Sequence, residues 1–236
     1  MSNFQKRPQV ITPRGTVEPY AYIAKADFGR DHFATERGKY KISLTIEANA
    51  AQPFIDAIVK HHEESYAKRL AEHKKNPPQV QRGKKPLVPY EGDLPFVDNG
   101  DGTVTFRMSS YDRYDDKKTG KTIMKPLKVA DSKGKTIVDV PNISGGSEIK
   151  AKVTLMDYGW TPTTGASVKL QIDSVMLLKL VEFGGGEEDW GDEVEEDGYV
   201  ADNSQPRRQA PQDEPEDDGF GPADDGYEVS DNGGDF

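Results

Sequence analysis

Polar and apolar residues alternate with a two-residue period along several stretches of this chain, and each stretch predicts a half-buried strand. From Arg37 to Ile46, one face carries Tyr40, Ile42, Leu44 and Ile46; the other carries Arg37, Lys39, Lys41, Ser43 and Thr45. In Thr103–Tyr111, Phe106 and Met108 point one way, and Arg107, Ser109 and Tyr111 the other. In Glu148–Tyr158 the inward set is Ile149, Ala151, Val153 and Leu155, and Lys150, Lys152, Thr154, Met156 and Tyr158 point outward. Ala166–Val181 is the most apolar stretch, with Val168, Leu170, Ile172, Met176, Leu178 and Leu180 read as one face. Thr16–Phe28 predicts a first strand, placed at an edge or bulge by Pro19. Lys121–Ala130 and Thr136–Val140 predict strands around the turn Asp131-Ser132-Lys133-Gly134-Lys135. Residues 1–14 predict no regular structure.

One segment carries the helical period instead. Between Gln52 and Lys75, Phe54, Ile58, His62 and Tyr66 recur every four residues beside Ile55, Val59 and Leu70, and Pro77-Pro78 ends the helix. Prolines at 77, 78, 86, 89 and 95 make residues 76–95 an extended connector, and Asp98-Asn99-Gly100-Asp101-Gly102 reads as a turn. About five to seven strands, one helix and long loops predict a mainly β fold, a small antiparallel barrel.

Charge divides the chain at Phe183-Gly184-Gly185-Gly186. Up to residue 186 there are 29 Lys+Arg against 22 Asp+Glu, a net of +7, whereas residues 187–236 hold 19 Asp+Glu and only Arg207 and Arg208, a net of −17. The whole-chain value of −10 therefore describes neither part. A folded domain is expected over 1–186. The tail over 187–236 has too few large apolar residues to offset the entropy of ordering and is expected to be disordered. Within it, Glu187–Val200, with Trp190, Val194, Tyr199 and Val200, is the stretch that could dock. A basic body with an acidic tail is the footprint of a polyanion binder that carries its own competitor. The tail ends in Asp235-Phe236, an aromatic tip suited to recognition.

The cations of the body alternate with rings. Arg37, Lys39 and Lys41 share one outward face, Arg107 and Tyr111 a second, and Lys150, Lys152, Tyr158 and Trp160 a third strand and its exit. Cations that track a phosphate backbone, interleaved with rings on which bases stack, are what sequence-tolerant single-strand binding requires. Each such residue taken alone is as well explained by an ordinary surface lysine or a barrel-closing tyrosine; the coincidence of three faces favours binding.

Enzyme chemistry finds no support. The chain has no cysteine, which removes disulfides, thiolate nucleophiles and Cys-type zinc sites and fits a reducing compartment. Gly120-Lys121-Thr122 and Gly134-Lys135-Thr136 resemble the end of a phosphate loop, but its first glycine is replaced by Asp115 and Val129, so both read as turns. A calcium loop from Asp98 would place Gly100 and Ser109 at ligand positions. His61 and His62 are adjacent on the predicted helix and cannot share a face. No metal or cofactor is expected. No run of 18 or more apolar residues predicts a membrane span, and Met1–Lys6 lacks a secretory apolar region.

Several segments together carry a family resemblance: Glu18-Pro19-Tyr20-Ala21-Tyr22-Ile23-Ala24-Lys25, Arg82-Gly83-Lys84-Lys85-Pro86-Leu87, Pro89-Tyr90-Glu91-Gly92-Asp93, Asp98-Asn99-Gly100-Asp101-Gly102-Thr103, Gly165-Ala166-Ser167-Val168-Lys169-Leu170, and the glycine run before an acidic tail. The sequence closely resembles the single-stranded DNA-binding proteins of T7-like bacteriophages, in order along nearly the whole chain. The resemblance implies an OB-fold barrel, a homodimer, action in the cytoplasm of an infected bacterial host, and roles in replication, recombination, repair and strand annealing. It further implies that the tail, through Asp231, Asp235 and Phe236, contacts the phage DNA polymerase and helicase–primase. Family DNA contacts fall on Arg37, Lys152 and Tyr158, with Tyr111 and Trp160 beside them, and Arg82 matches a position tied to annealing; Lys6 and Arg7 carry over only weakly. Where the family has a second cation two residues after Arg107, this chain has Ser109, so that phosphate contact does not carry over. Two other classes stay open at this level: a DNA-mimicking interaction protein whose tail occupies a host nucleic-acid-binding protein, and a small nuclease, which needs a carboxylate cluster the sequence does not show.

Overall fold

The computed structural model describes residues 7–79, 83, 85–116 and 118–181. Arg82, Lys6 and the whole acidic tail with Asp231, Asp235 and Phe236 lie outside the described residues.

The chain opens with β1 (Gln9–Ile11), β2 (Gly15–Val17) and β3 (Tyr22–Asp27), and a single turn of 3-10 helix at Asp31–Phe33 precedes β4 (Lys39–Glu47). Helix α1 (Ala48–Lys75) follows, then β5 (Phe96–Asp98), β6 (Thr103–Tyr111), β7 (Arg113–Asp115), β8 (Thr122–Met124) and β9 (Lys128–Ala130). The long strands β10 (Glu148–Tyr158) and β11 (Ser167–Lys179) complete the order.

Five of these strands close on themselves. β10 pairs with β2, β2 with β4, β4 with β6, β6 with β11, and β11 returns to β10. Five alternately directed strands cannot close with every seam antiparallel, and the β6–β11 seam is the parallel one, with Leu170 opposite Met108. Strand order and direction are those of an OB barrel, and closure removes the exposed edges that an open sheet would present. The interior is filled by the inward residues that alternation predicts: Ile42, Leu44, Phe106, Met108, Ile149, Val153, Leu155, Leu170 and Ile172 are all fully buried. Where β2 crosses β4 most closely the residue is Gly15, because a Cβ there would meet Ile46 Cγ1 at 2.7 Å and the Thr45 carbonyl at 2.8 Å.

Helix α1 joins the second barrel strand to the third and lays Ala51, Phe54, Ile58 and His62 on the barrel, with the Phe54 and Phe106 rings 4.9 Å apart. It begins at Ala48, not Gln52, and the Ala48 N–H donates to the Gly102 carbonyl. The sequence hides this first turn because Ala48-Asn49-Ala50-Ala51 has no apolar period and Pro53 reads as an initiating residue.

The shorter elements depart from expectation for identifiable reasons. Residues 1–14 include β1, an edge strand held against β10 at Gln9↔Thr154. Thr16–Phe28 is split into β2 and β3 at Tyr20, whose φ of 65° no strand continues through. Lys121–Ala130 is split at Lys125-Pro126, so that β8 pairs only with β7 in a separate ribbon while β9 joins β11. Thr136–Val140 makes one isolated bridge, Ala130↔Thr136, and leaves Val138 89% exposed. In β11 the pairing jumps from Val153↔Ile172 to Lys152↔Ser174, so Asp173 is an extra residue, a bulge. The parity reverses there, and Val175 turns inward in place of Met176 and Leu178.

Candidate nucleic-acid interface

Register places the cationic residues on one outer face of β4, β6, β11 and β10. Lys41, Ser109, Gln171 and Thr154 form one row straight across these strands. To one side of the row lie Lys39 and its partner Tyr111, and further along β10 lies Lys152 opposite Ser174, then Lys150 opposite Met176. To the other side lie Arg107 opposite Ser43, Lys169 opposite Met156, and Tyr158 opposite Ser167. Tyr111 and Arg107 are thus about 13 Å apart on one strand face, at ~3.3 Å per residue.

Tyr111 is the centre of the cluster. The Arg37 guanidinium carbon lies 3.9 Å from its ring centroid, Lys169 Nζ 5.2 Å and Lys39 Nζ 6.0 Å. All three fall within the range over which a cation is drawn to the face of an aromatic ring. Gly38 makes this possible. It adopts φ 59°, the Phe28 ring occupies the space of its missing Cβ, and its carbonyl accepts the Asp112 N–H at 3.0 Å, which pins Arg37 beside the end of β6. Lys169 was not singled out by sequence because β11 reads as an apolar strand; its parity, one residue before Leu170, is the signal that marks it as outward.

Carboxylates around this face are held by other groups. Asp27 pairs with Lys41 at 3.1 Å, so the charge of Lys41 is locally matched by an acid. Asp173 accepts from Thr154 Oγ1 at 2.6 Å and from Gln9 Nε2 at 3.1 Å. Asp112 is buried and accepts from the Tyr40 hydroxyl at 2.9 Å and from Arg113 at 3.0 Å. Burial, reinforced by that bond to Asp112, raises the Tyr40 phenol above its ordinary value. Asp157 sits beneath Arg69 of α1 at 2.6 Å; burial alone would raise its carboxyl, but the bonds from Arg69 and Ser65 outweigh it and hold it below the ordinary value.

The structure turns Lys39, Lys41, Arg107, Tyr111, Lys150, Lys152 and Tyr158 outward from the barrel strands and sets Arg37 against the Tyr111 ring. Trp160 does not join them. Its ring meets Tyr66 and His73 of α1 edge-on, with centroids 6.1 and 5.5 Å away. Strand parity stops at Tyr158, and the helix dictates where the next ring goes. The glycines of the two phosphate-loop lookalikes sit in turns, Gly120 at φ 65° and Gly134 at φ 83°. Among the described residues no group of three or more His, Asp or Glu side chains could hold a metal ion, and no helix is long and apolar enough to cross a membrane.

The chain as a whole has known counterparts in sequence and in fold. The family described as single-stranded DNA-binding protein of bacteriophage T7 matches residues 14–180. The single-stranded DNA-binding protein of Escherichia phage T7 is 53% identical over 226 residues, covering 94% of this chain and 96% of that protein. Its counterpart from Enterobacteria phage T3 is 52% identical over 213 residues, covering 88% and 91%. The crystal structure of gp2.5, a single-stranded DNA-binding protein encoded by bacteriophage T7, superposes with a TM-score of 0.67 at 50% identity, covering 84% of this chain and all of that one. By both sequence and fold, this chain belongs to the bacteriophage T7 single-stranded DNA-binding protein family.

Proposed function

We propose that this protein is a non-catalytic single-stranded DNA-binding protein that coats DNA along the outer face of β4, β6, β11 and β10. The observation that carries the reading is the convergence of Arg37, Lys39 and Lys169 on the Tyr111 ring. Cations so placed neutralise phosphates, and Tyr111 with Tyr158 offers faces for bases, at about 1–3 kcal/mol for each stacked base. Arg107, Lys150 and Lys152 extend the positive strip along the same side. A guanidinium lying flat on a ring is itself a stacking surface, so a base can stack on Arg37 without dismantling the pair.

The acidic tail serves, in this proposal, as competitor and connector. A tethered segment meets its own domain at about millimolar effective concentration, enough to occupy the basic face until DNA displaces it. Released, it recruits the phage polymerase and helicase–primase through Asp231, Asp235 and Phe236, while Arg82 assists annealing. The protein acts as a homodimer in the cytoplasm of an infected bacterium. These finer roles rest on the family resemblance and on the charge reversal at residue 186.

Fluorescence-anisotropy titration with single- and double-stranded oligonucleotides at two salt concentrations tests the proposal. Preferential, salt-dependent binding of the single strand is expected. An absence of binding to either form would favour a DNA-mimicking role for the tail instead.

A further inference from the structure

The β7–β8 ribbon departs from the barrel at the point where the Tyr111 cluster sits. β7 begins two residues after Tyr111 closes β6, and it pairs only with β8, outside the barrel sheet. An isolated two-stranded ribbon is marginal in water, so its base must be held. Asp112 does this. It lies between Tyr111 and the ribbon, accepts from Tyr40 and from two guanidinium nitrogens of Arg113, donates its N–H to the Gly38 carbonyl and accepts the Lys125 N–H through its own carbonyl. Arg113 in turn covers the Phe28 ring at 4.8 Å, the same ring that packs on Gly38 beside Arg37. One anchor therefore fixes both the Arg37–Tyr111 stack and the root of the ribbon.

Pairing Tyr114↔Ile123 puts these two side chains on one face of the ribbon, 43% and 38% exposed. Lys121 and Lys125 share the parity of Ile123 and flank it, both exposed. The ribbon's acids are engaged by hydroxyls and a backbone N–H of the ribbon itself. Asp115 accepts from Thr122 Oγ1 at 2.7 Å, and Asp116 from Thr119 Oγ1 at 2.6 Å and the Lys118 N–H at 3.0 Å. Among the described residues no ion pair engages Lys118, Lys121 or Lys125. A ring bracketed by cations repeats the chemistry of the barrel face at its margin.

We infer that the β7–β8 ribbon is a second single-stranded DNA contact, an arm that continues the binding face past Tyr111, with Tyr114 stacking on a base and Lys121 and Lys125 meeting flanking phosphates. The inference rests on the reading of the barrel face proposed above. An apolar protein partner would fit Tyr114 and Ile123, but it gives the flanking lysines no counter-charge, and continuity with the Tyr111 site favours the nucleic acid.

The test uses the full chain and oligothymidylates of about 6 and about 20 nucleotides, one near the lower end of the usual site size of one OB fold and one beyond its upper end. Tyr114→Ala should weaken binding of the longer strand about fivefold or more at every salt concentration, the fold-change of one lost stack. K121A/K125A should lower its salt slope by about 1.4, two phosphate contacts on a single strand. Both variants should leave the short strand's affinity unchanged. Tyr111→Ala should weaken both lengths; if it weakens neither, the barrel-face reading fails, whatever the arm does. The arm is overturned if its variants weaken both lengths equally or neither, and a changed sedimentation coefficient in the latter case would assign the ribbon to a protein contact. Thermal melts check folding. Independently, an iodouracil-substituted strand should cross-link to the peptide holding Tyr114 in the unaltered chain, and absence of that cross-link overturns the inference.

Discussion

Replacing Tyr111 by Ala removes the ring on which three cations converge, and its effect can be separated from that of the cations themselves. The ring lies at the end of β6 and is not part of the buried core, so the substitution leaves the barrel standing. One lost base stack is worth about 1–3 kcal/mol, a loss of about 5- to 150-fold in affinity. Stacking releases no counterions, so the ratio of variant to parent affinity should stay constant as salt rises. Arg37→Ala provides the contrast. It removes one cation, which flattens the salt slope by about 0.7 for single-stranded DNA; its penalty should therefore shrink by about 2.5-fold between roughly 50 and 200 mM salt. Equilibrium titrations of the two variants against oligothymidylate across that range measure both. If the Tyr111→Ala penalty fades with salt in parallel with that of Arg37→Ala, the ring orders cations instead of stacking bases, and the reasoning is refuted.

Deleting residues 216–236 should tighten DNA binding, most visibly at low salt, because it removes the tethered competitor; an unchanged affinity and salt slope would end the autoinhibition idea. Gly165→Ala should destabilise the fold by about 1–3 kcal/mol in denaturant titration, because its Cβ would collide with the backbone of Glu91 and Gly92; a wild-type midpoint would show that the connector can give way. Asp157, whose folded value lies below the ordinary 3.8, lends stability that is present above that value and is lost as pH falls through the lower folded one. Asp157→Asn should therefore flatten the acid side of a plot of stability against pH, which urea melts between about pH 2 and 5 would show; an unaltered acid limb would deny Asp157 that role.

Three barrel strands could be read from the sequence nearly to the residue. β4, β6 and β10 each bury one face and wet the other, so period two in the sequence is period two in the fold, and Lys39, Arg107, Tyr111 and Lys152 emerge outward as expected. Elements shaped by a partner strand were not legible. The bulge at Asp173 exists because β10 pairs with Ile172 on one side of it and Ser174 on the other, and Ile172-Asp173-Ser174-Val175 alone carries no mark of that slip. β1 and β9 are three-residue edges whose partners lie far along the chain. Of the candidate site residues, Lys169 was hidden by the apolar run around it. Trp160 packs against Tyr66 and His73 of the helix, a contact that strand parity does not announce. Strand parity finds a face; only packing shows where the face ends.

In the proposed binding mode, single-stranded DNA lies across the outward face centred on Tyr111. Photo-cross-linking the full chain to a single-stranded oligonucleotide bearing iodouracil, followed by peptide mapping, addresses it directly. Adducts are expected on the peptides that hold Tyr111 and Tyr158, competed away by unlabelled single strand. Adducts confined to the helix α1 face, or to peptides remote from β4, β6, β10 and β11, would contradict it.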